Sequence, residues 1–270
     1  MRDDLVNDPN GGMPRLLAIM KALRDPQTGC PWDIVQNYKT IAPYTIEEAY
    51  EVEDAVERSD FDDLKGELGD LLLQVVYFAQ MGSEDKHFDF DDIANTISDK
   101  MVARHPHVFG SESRDKSADD QVKDWEKIKA AERAANGPKR VLDDVATSLP
   151  ALTRAVKLQK RAARVGFDWP STDQVIDKIK EEAAELTEPG LSQDRKHEEF
   201  GDLLFVMANL ARHLKIDAEG ALRAANRKFS RRFAYIEDHL AQDGKTPEQS
   251  DLREMDALWD QAKRAEKISE

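Results

Sequence analysis

The chain has 270 residues, of which 40% are hydrophobic and 34% are charged, and its formal net charge is −15. This length provides for one large domain or two small ones, and the acidic balance argues against a nucleic-acid partner or an anionic membrane surface. The single cysteine, Cys30, cannot form an intrachain disulfide, and no run of about eighteen apolar residues indicates a membrane span. The first residues do not resemble a signal peptide either, so we expect a soluble, cytoplasmic protein.

Helix-forming residues dominate the composition, and no segment alternates apolar and polar residues as a strand would. The sequence therefore predicts an all-α fold. In the first half, helix signals predict five segments: from Pro14 to just before Pro26, from Thr45 to about Arg58, from a cap at Asp60 past Ala79, from about Asp91 to Arg104, and around Trp125.

The second half repeats this plan after the segment NGPKR (136–140), which is the clearest break in the chain. Its predicted helices cover about 149–164, 172–187 with a cap at Ser171, 192–214, 218–240 and 247–267. Two related helical bundles follow from this repetition. We expect a loose leader over 1–12, an N-terminal domain over 13–136, a linker over 137–147 and a C-terminal domain over 148–270.

A pattern of carboxylates, Glu-Glu-x-x-Glu followed by Glu-x-x-Asp, occurs once in each half. Its members are Glu48, Glu51, Glu67 and Asp70 in the first half, and Glu182, Glu185, Glu199 and Asp202 in the second. Residues three apart on a helix share a face, and each set is symmetric about position 59 or 192, close to a predicted turn. Two antiparallel helices would therefore bring each set together.

Four facing carboxylates require a counter-charge, because two like charges about 4 Å apart repel by roughly 4 kcal/mol at an effective dielectric constant of about 20. A ligand set made only of oxygen suits Mg²⁺ or Mn²⁺. We therefore predict a metal site in the second half and a second candidate metal site in the first. Two simpler explanations stand beside this one: Thr45-x-x-Glu48 also fits a helix capping box, and helical glutamates commonly form a solvated face.

A di-iron carboxylate bundle is a rival to the magnesium site. That class of protein needs Glu-x-x-His pairs that face the core. The only such spacing here joins Glu84 to His87, beyond the end of the apolar stripe. The pattern therefore favours the hard divalent ion.

Eight motifs in order along the chain carry a resemblance to a known family. They are GCPWD (29–33), IEEAYE (46–51), GELGDLLLQV (66–75), RHPHVF (104–109), GFDW (166–169), KIKEEAAEL (178–186), EEFGDLLF (198–205) and NRKFSRRF (226–233). Over nearly its whole length the chain resembles the all-α nucleoside triphosphate pyrophosphohydrolases, specifically the MazG family. The resemblance implies two tandem MazG-like domains.

The resemblance also implies an activity: Mg²⁺-dependent hydrolysis of NTPs and dNTPs to the monophosphate and pyrophosphate by a homodimer. Such enzymes remove non-standard nucleotides or lower nucleotide levels under stress. A narrow dUTP or dCTP pyrophosphatase is an alternative within the same chemistry. A non-enzymatic helical protein that binds a partner through an acidic groove is an alternative from another class.

The two halves differ in the cations beside their carboxylates. The second half has Lys178 and Arg195 where the first has Tyr44 and Asp63, and the active copy in the family resembles the second half in carrying both bases. We therefore expect the second half to be catalytic. The predicted catalytic residues are Glu181, Glu182 and Lys178, with Glu181 as general base or second metal ligand. The predicted substrate-binding residues are Lys178, Arg195, Asn226, Lys228, Arg231, Arg232 and Trp259.

Aromatic side chains are candidates for contact with the base. Phe167, Trp169 and Trp259 could stack on it, although an aromatic residue in a small helical domain commonly packs in the core. The sequence leaves this choice open.

Overall fold

A computed structural model of the chain describes residues 5–111, 140–143 and 145–269, with scattered positions between 113 and 128. Within these residues all regular structure is helical, which confirms the predicted all-α fold. The chain divides into two compact units, residues 1–132 and 133–270. The predicted helix around Trp125 and the break at 136–140 lie largely outside the described residues, and the predicted domain limits stay predictions.

The first unit is built on a long helical hairpin. Its helices are α1 (Gly12–Leu23), α2 (Pro31–Ile34), α3 (Tyr38–Arg58), α4 (Phe61–Glu84), α5 (Phe90–Arg104) and α6 (Pro106–Phe109). Helices α3 and α4 pair along their length, and α1 packs on α4. The core between them consists of Met20, Ile41, Val76, Tyr77 and Met81, each at most 3% exposed.

Helix α3 begins at Tyr38, seven residues before the predicted start at Thr45. The Asn37 side chain accepts hydrogen bonds from the backbone N–H groups of residues 39 and 40, and the Thr40 hydroxyl accepts one from Asn37 N–H. This capping box starts the helix, and Pro43 is accommodated inside it. The proposed capping box from Thr45 to Glu48 is therefore wrong, because both residues lie within the helix.

The turn between α3 and α4 is as short as the sequence predicts. Ser59 adopts a left-handed conformation with φ of 57°, which ends α3. The Asp60 carboxylate then accepts a hydrogen bond of 3.1 Å from Asp63 N–H, so the predicted cap of α4 is confirmed. The two helices therefore reverse direction over two residues and stay in register.

The second unit contains a similar hairpin and a second helix pair. Its helices are α7 (Ala151–Ala163), α8 (Thr172–Glu185), α9 (Gln193–His213), α10 (Ala218–Gln242) and α11 (Leu252–Ser269). Helices α8 and α9 form the hairpin, α7 packs on α9, and α10 pairs with α11. No helix in the described part of the chain is both long and apolar enough to span a bilayer.

Two details of the second unit differ from the predictions. Ser171 stands at the N-cap position of α8, but its side chain makes no capping hydrogen bond. Ser192 does cap α9, since its hydroxyl accepts a bond of 3.2 Å from Arg195 N–H. The last predicted helix starts late: residues 247–249 form a single 3₁₀ turn, and α11 begins only at Leu252.

Candidate active site

Three carboxylates of the second unit converge where α8 faces α9. Glu182 comes from α8, and Glu199 and Asp202 come from α9, with carboxylate oxygens that all lie within 4.8 Å of one another. Glu182 and Glu199 are each 5% exposed, whereas Asp202 is exposed. We call Glu182, Glu199 and Asp202 the acidic trio; it has two buried members and one side open to solvent.

Glu185, the fourth predicted ligand, lies beside the acidic trio without joining its closest group. The pKa of Glu185 is raised, first by partial desolvation and then by the nearby charges of Glu182 and Glu199. The Glu185 carboxylate is therefore close enough for the charges of both neighbours to raise its pKa. The close group of carboxylates therefore contains three of the four predicted ligands and omits Glu185.

Two cations accompany the buried carboxylates, each one turn away on the same helix. The Lys178 ammonium lies 2.8 Å from Glu181 and 2.8 Å from Glu182, and the hydrogen bonds that it donates to these carboxylates raise the pKa of Lys178. The Arg195 guanidinium donates to Glu198 at 2.8 Å and also to Glu199, and the pKa of Arg195 is likewise raised. Both side chains therefore carry full positive charge beside the acidic trio.

The chemistry of the donor set fits a hard divalent cation. The acidic trio offers only carboxylate oxygens, which are the ligands that such ions prefer. Burying Glu182 and Glu199 so close together is unfavourable without added positive charge. Lys178 and Arg195 supply part of it, and the exposed side of Asp202 gives an ion a path to the group.

The first unit holds a corresponding cluster with a different charge balance. Carboxylate oxygens of Glu48, Glu67 and Asp70 lie within 4.8 Å of one another. The pKa of Glu48 is raised by burial and then by the charges of Asp70 and Glu51, while a 3.3 Å hydrogen bond from Gln74 opposes this shift.

The pKa of Glu67 is raised as well, first by desolvation and then by the charges of Glu51, Asp63 and Asp70. Asp63 occupies the position equivalent to Arg195, and its carboxylate is paired with Arg58, whose charge partly opposes the raised pKa of Glu67. Both units therefore gather carboxylates, but only the second balances them with Lys178 and Arg195.

The predicted basic run on α10 makes its clearest contacts with α11. Glu266 accepts hydrogen bonds of 2.9 Å from Arg231 Nε and of 2.7 and 2.9 Å from Arg232. The Arg232 guanidinium also lies 5.4 Å from the ring centre of Trp259. The structure thus places Arg231, Arg232 and Trp259 in one cluster with an acidic partner, and it leaves Asn226 and Lys228 exposed on α10.

A cavity of about 480 Å³ in the second unit contains residues that the sequence did not single out. It lies between α7, the turn at 166–169 and α9, and two of its lining residues, Gln159 and Asn209, are buried polar side chains. The turn is held by Asp168, which accepts hydrogen bonds from Arg212 and His213. Burial opposes ionisation of Asp168, but these bonds outweigh it and lower the pKa.

Comparisons with known proteins identify the family. A family model described as the MazG nucleotide pyrophosphohydrolase domain matches residues 36–109. The chain is 52% identical over 256 residues to the nucleoside triphosphate pyrophosphohydrolase of Escherichia coli K12, which covers 93% of this chain and 97% of that protein. The chain belongs to the MazG family. The resemblance seen in its motifs is thereby confirmed.

Other MazG relatives align over different lengths of the chain. The nucleoside triphosphate pyrophosphohydrolase/pyrophosphatase MazG of Thermotoga maritima is 42% identical over 248 residues, which is 92% of this chain and 94% of that protein. The nucleoside triphosphate pyrophosphohydrolase of Mycobacterium tuberculosis is 41% identical over 153 residues, 56% of this chain and 45% of that protein. The long MazG alignments therefore extend over both units, whereas the family model lies on the first.

Proposed function

We propose that this MazG-family chain hydrolyses nucleoside triphosphates, ribose and deoxyribose forms alike, to the monophosphate and pyrophosphate, with Mg²⁺ or Mn²⁺ bound in the second unit. The observation that carries the proposal is the acidic trio with Lys178 and Arg195 beside it. Such a pairing of ion ligands with phosphate-binding cations is what phosphoryl transfer requires. The printed names of the full-length relatives support the same reaction.

The residues of the second unit divide the work of this reaction. Glu182, Glu199 and Asp202 hold the ion, with Glu185 at their edge. When bound, the ion neutralises the phosphate chain and polarises it for attack. Glu181, whose side chain is 56% exposed, takes a proton from the attacking water as general base. No covalent nucleophile is needed, since positioning and charge stabilisation dominate this chemistry.

The cations stabilise the leaving group. As the bond to the α-phosphorus breaks, negative charge grows on the departing pyrophosphate, and Lys178 and Arg195 exchange their carboxylate partners for its oxygens. Lys228 and Arg232 on α10 are proposed to hold the outer phosphates. For Arg232 this requires sharing with, or release from, Glu266.

We assign catalysis to the second unit because it has cations, Lys178 and Arg195, at two positions beside the carboxylates where the first unit has none. The first-unit cluster with Glu48 is retained as a second candidate metal site. A cytoplasmic homodimer that cleans the nucleotide pool or adjusts it under stress is the cellular setting that we propose for this activity.

A product assay tests the reaction and its location together. Purified protein is incubated with each of the four NTPs, the four dNTPs and dUTP, with Mg²⁺ or with EDTA, and pyrophosphate is separated from orthophosphate. The matched variants are Glu182→Gln and Glu48→Gln, which change equivalent carboxylates in the two units. We expect Mg²⁺-dependent release of pyrophosphate that Glu182→Gln loses and Glu48→Gln keeps.

Other results of this assay would replace the proposal. Turnover of dUTP or dCTP alone would establish a narrow pyrophosphatase. Orthophosphate as the first product, or no turnover of any nucleotide, would reject the reaction and favour an acidic helical binding protein.

A further inference from the structure

A second cavity in the second unit, of about 420 Å³, lies between α7, the end of α9 and the start of α10. Its volume is within the range of roughly 300–1,000 Å³ that is typical of ligand pockets. Along α9, Arg212 in the wall of this cavity follows Asp202 of the acidic trio by ten residues, which corresponds to about 15 Å along the helix axis. The cavity is therefore separate from the candidate active site.

Cations line this cavity from two sides, and we call it the basic cavity. Lys157 and Lys160 come from α7, and Arg212 and Lys215 come from the last turn of α9 and the turn that follows it. Lys157 and Lys160 are three residues apart on one helix face, and like charges at this spacing destabilise a helix. In a chain with a net charge of −15, four cations around one cavity are a local excess of positive charge that an anion would neutralise.

Three of these cations have no partner among the residues that the structure describes. Lys157, Lys160 and Lys215 are exposed, and none of them forms a hydrogen bond or an ion pair with a described residue. Arg212 is different, since its guanidinium donates to Asp168. Three ammonium groups are therefore available to a ligand that enters the cavity from solvent.

Two carboxylates also line the basic cavity, and both accept hydrogen bonds from other donors. Asp217 caps α10 by accepting a hydrogen bond of 3.2 Å from Glu219 N–H. Glu219 accepts hydrogen bonds from the backbone N–H and the hydroxyl of Thr153, at 3.4 and 3.5 Å. Since neither carboxylate pairs with a lysine of the cavity within the described part of the chain, the walls keep more positive than negative charge.

The first unit has a cavity in the equivalent place with a different charge balance. That cavity, of about 300 Å³, lies between α1, α4 and the start of α5. Its charged lining residues are Lys21, Asp89 and Asp91. One cation thus accompanies two carboxylates in the first unit, whereas four accompany two in the second. The excess of positive charge is therefore a property of the second unit and not of the shared fold.

One ion pair of the first unit has no counterpart in the second. Arg24 pairs with Glu84 at 2.6 Å. When the prolines at positions 14 and 150 are aligned, Lys160 stands where the first unit has Arg24. When the two Glu-x-x-Asp motifs are aligned, Ile216 stands where it has Glu84. The second unit thus keeps the cation and lacks its carboxylate partner.

We propose that the basic cavity binds a diphosphate group, either as inorganic pyrophosphate or as part of a nucleotide. Lys157, Lys160 and Lys215 donate charge-assisted hydrogen bonds to its oxygens. Ala218, the first residue of the 25-residue helix α10, also lines the cavity, so the helix dipole favours an anion there. A diphosphate, unlike a monovalent anion, carries enough charge to pair with several ammonium groups. Binding at this site is independent of the proposed reaction.

Isothermal titration calorimetry of the full chain in EDTA, with inorganic pyrophosphate and with ADP, tests this site without any turnover. We expect pyrophosphate to bind the wild-type protein and to bind Lys160→Gln and Lys215→Gln about tenfold more weakly. Lys178→Gln, which changes a cation of the candidate active site, is the control and should keep the wild-type dissociation constant. Tighter binding of ADP than of pyrophosphate would assign the diphosphate to a nucleotide, and the reverse would assign it to free pyrophosphate.

Ile216→Glu tests the charge balance directly, because it gives Lys160 the carboxylate that Arg24 has in the first unit. Ile216 is 48% exposed, so the unit should remain folded, which circular dichroism checks. We expect pyrophosphate to bind this variant about tenfold more weakly, because Lys160 is then neutralised. Ile216→Gln, which has nearly the same shape as the glutamate variant but no charge, should bind as the wild type does.

Two results would overturn the proposal. If the wild-type protein binds neither pyrophosphate nor ADP, or if Lys160→Gln, Lys215→Gln and Ile216→Glu all keep the wild-type dissociation constants, the basic cavity is not a diphosphate site. If Lys178→Gln alone weakens binding, the anion occupies the candidate active site instead. Both results would leave the proposed hydrolysis to be decided by the product assay.

Discussion

The ammonium of Lys178 lies 2.8 Å from a carboxylate oxygen of Glu182, one turn further along the same helix. This places a fixed positive charge against a buried member of the acidic trio. In the proposed reaction the same ammonium turns to the phosphate oxygens when substrate binds. We therefore expect Lys178 to compete with the ion for Glu182 before the substrate binds and to assist the ion afterwards.

The first prediction follows from this double use of Lys178. In Lys178→Met, kcat/KM should fall by roughly 100-fold, because a donor to the leaving group is lost. The affinity for Mn²⁺ in the absence of nucleotide should rise, because a repelling charge has been removed. Steady-state kinetics and Mn²⁺ titration by electron paramagnetic resonance measure the two effects. Lys180→Met, which changes an exposed lysine paired with Asp177, should alter neither. A joint fall in activity and Mn²⁺ affinity would contradict the competition.

The second prediction concerns ion binding without turnover. Mg²⁺ should raise the unfolding temperature of the wild-type protein, because a ligand that binds only the folded state stabilises it. Asp202→Asn should lose most of this increase, since it removes one of three converging ligands. Asp194→Asn, an exposed change in the first turn of α9, should keep it. Thermal unfolding followed by circular dichroism, with Mg²⁺ and with EDTA, provides the measurement. An equal Mg²⁺ effect in both variants would show that the ion binds somewhere other than the acidic trio.

The third prediction compares two serines at equivalent helix starts. Ser192 caps α9 with its hydroxyl, so Ser192→Ala should lower the free energy of unfolding by about 1 kcal/mol. Ser171 occupies the same position before α8 without a side-chain bond, so Ser171→Ala should change stability little. Urea unfolding of both variants checks this difference. Equal losses would mean that the two hydroxyls contribute alike in solution.

The fourth prediction is a pH dependence in the first unit. The Arg24 side chain is 8% exposed and pairs with Glu84 at 2.6 Å, while it also donates to the Asp33 carbonyl oxygen. Burial opposes ionisation of Glu84, but the hydrogen bonds from Arg24 and Gln80 outweigh it and lower the pKa. A lowered carboxyl pKa gives stability that is present above the unfolded value of about 4.3 and is lost as the pH falls further.

Glu84→Gln should therefore reduce stability at neutral pH by roughly 1–3 kcal/mol, because the buried guanidinium of Arg24 loses its counter-charge. It should also weaken the acid dependence, so that variant and wild type converge as the pH falls below about 4. Urea unfolding from about pH 3 to pH 7 measures both effects. Asp99→Asn, at an exposed position of α5, is the control. Parallel pH profiles for wild type and Glu84→Gln would rule out this source of acid sensitivity.

The start of α3 shows where reading the sequence failed. The helix predicted to start at Thr45 starts at Tyr38, and it includes Pro43, although a proline inside a helix removes a hydrogen bond and crowds the preceding turn. The structure tolerates it, since the Asn37 and Thr40 capping box and the burial of Ile41 stabilise the first turns. The spacing Asn37-x-x-Thr40 was visible in the sequence and could have revealed the true start.

The part of the site that could be predicted from the sequence consists of contacts between residues three or four apart on one helix. Carboxylates three apart and cations four residues from them must share a helix face, which gives Glu182 with Lys178 and Glu199 with Arg195. Contacts between distant segments followed no spacing rule. Arg232 meets Glu266 across 34 residues, and Gln159 meets Phe205 across 46. Only the packing of whole helices produces these pairs.

The locality of the two charge pairs has a consequence for how the segment tolerates insertions. One extra residue between Lys178 and Glu182 would rotate the lysine by about 100° around the helix axis and separate the pair, although every side chain would still be present. The loop at 186–192 lies between the pairs in sequence but contributes to neither, and the first unit joins its helices with only Ser59 and Asp60. Insertions and deletions in this hairpin are therefore tolerated only in the loop. Inside the helices, the spacing of the residues along the chain matters as much as their identity.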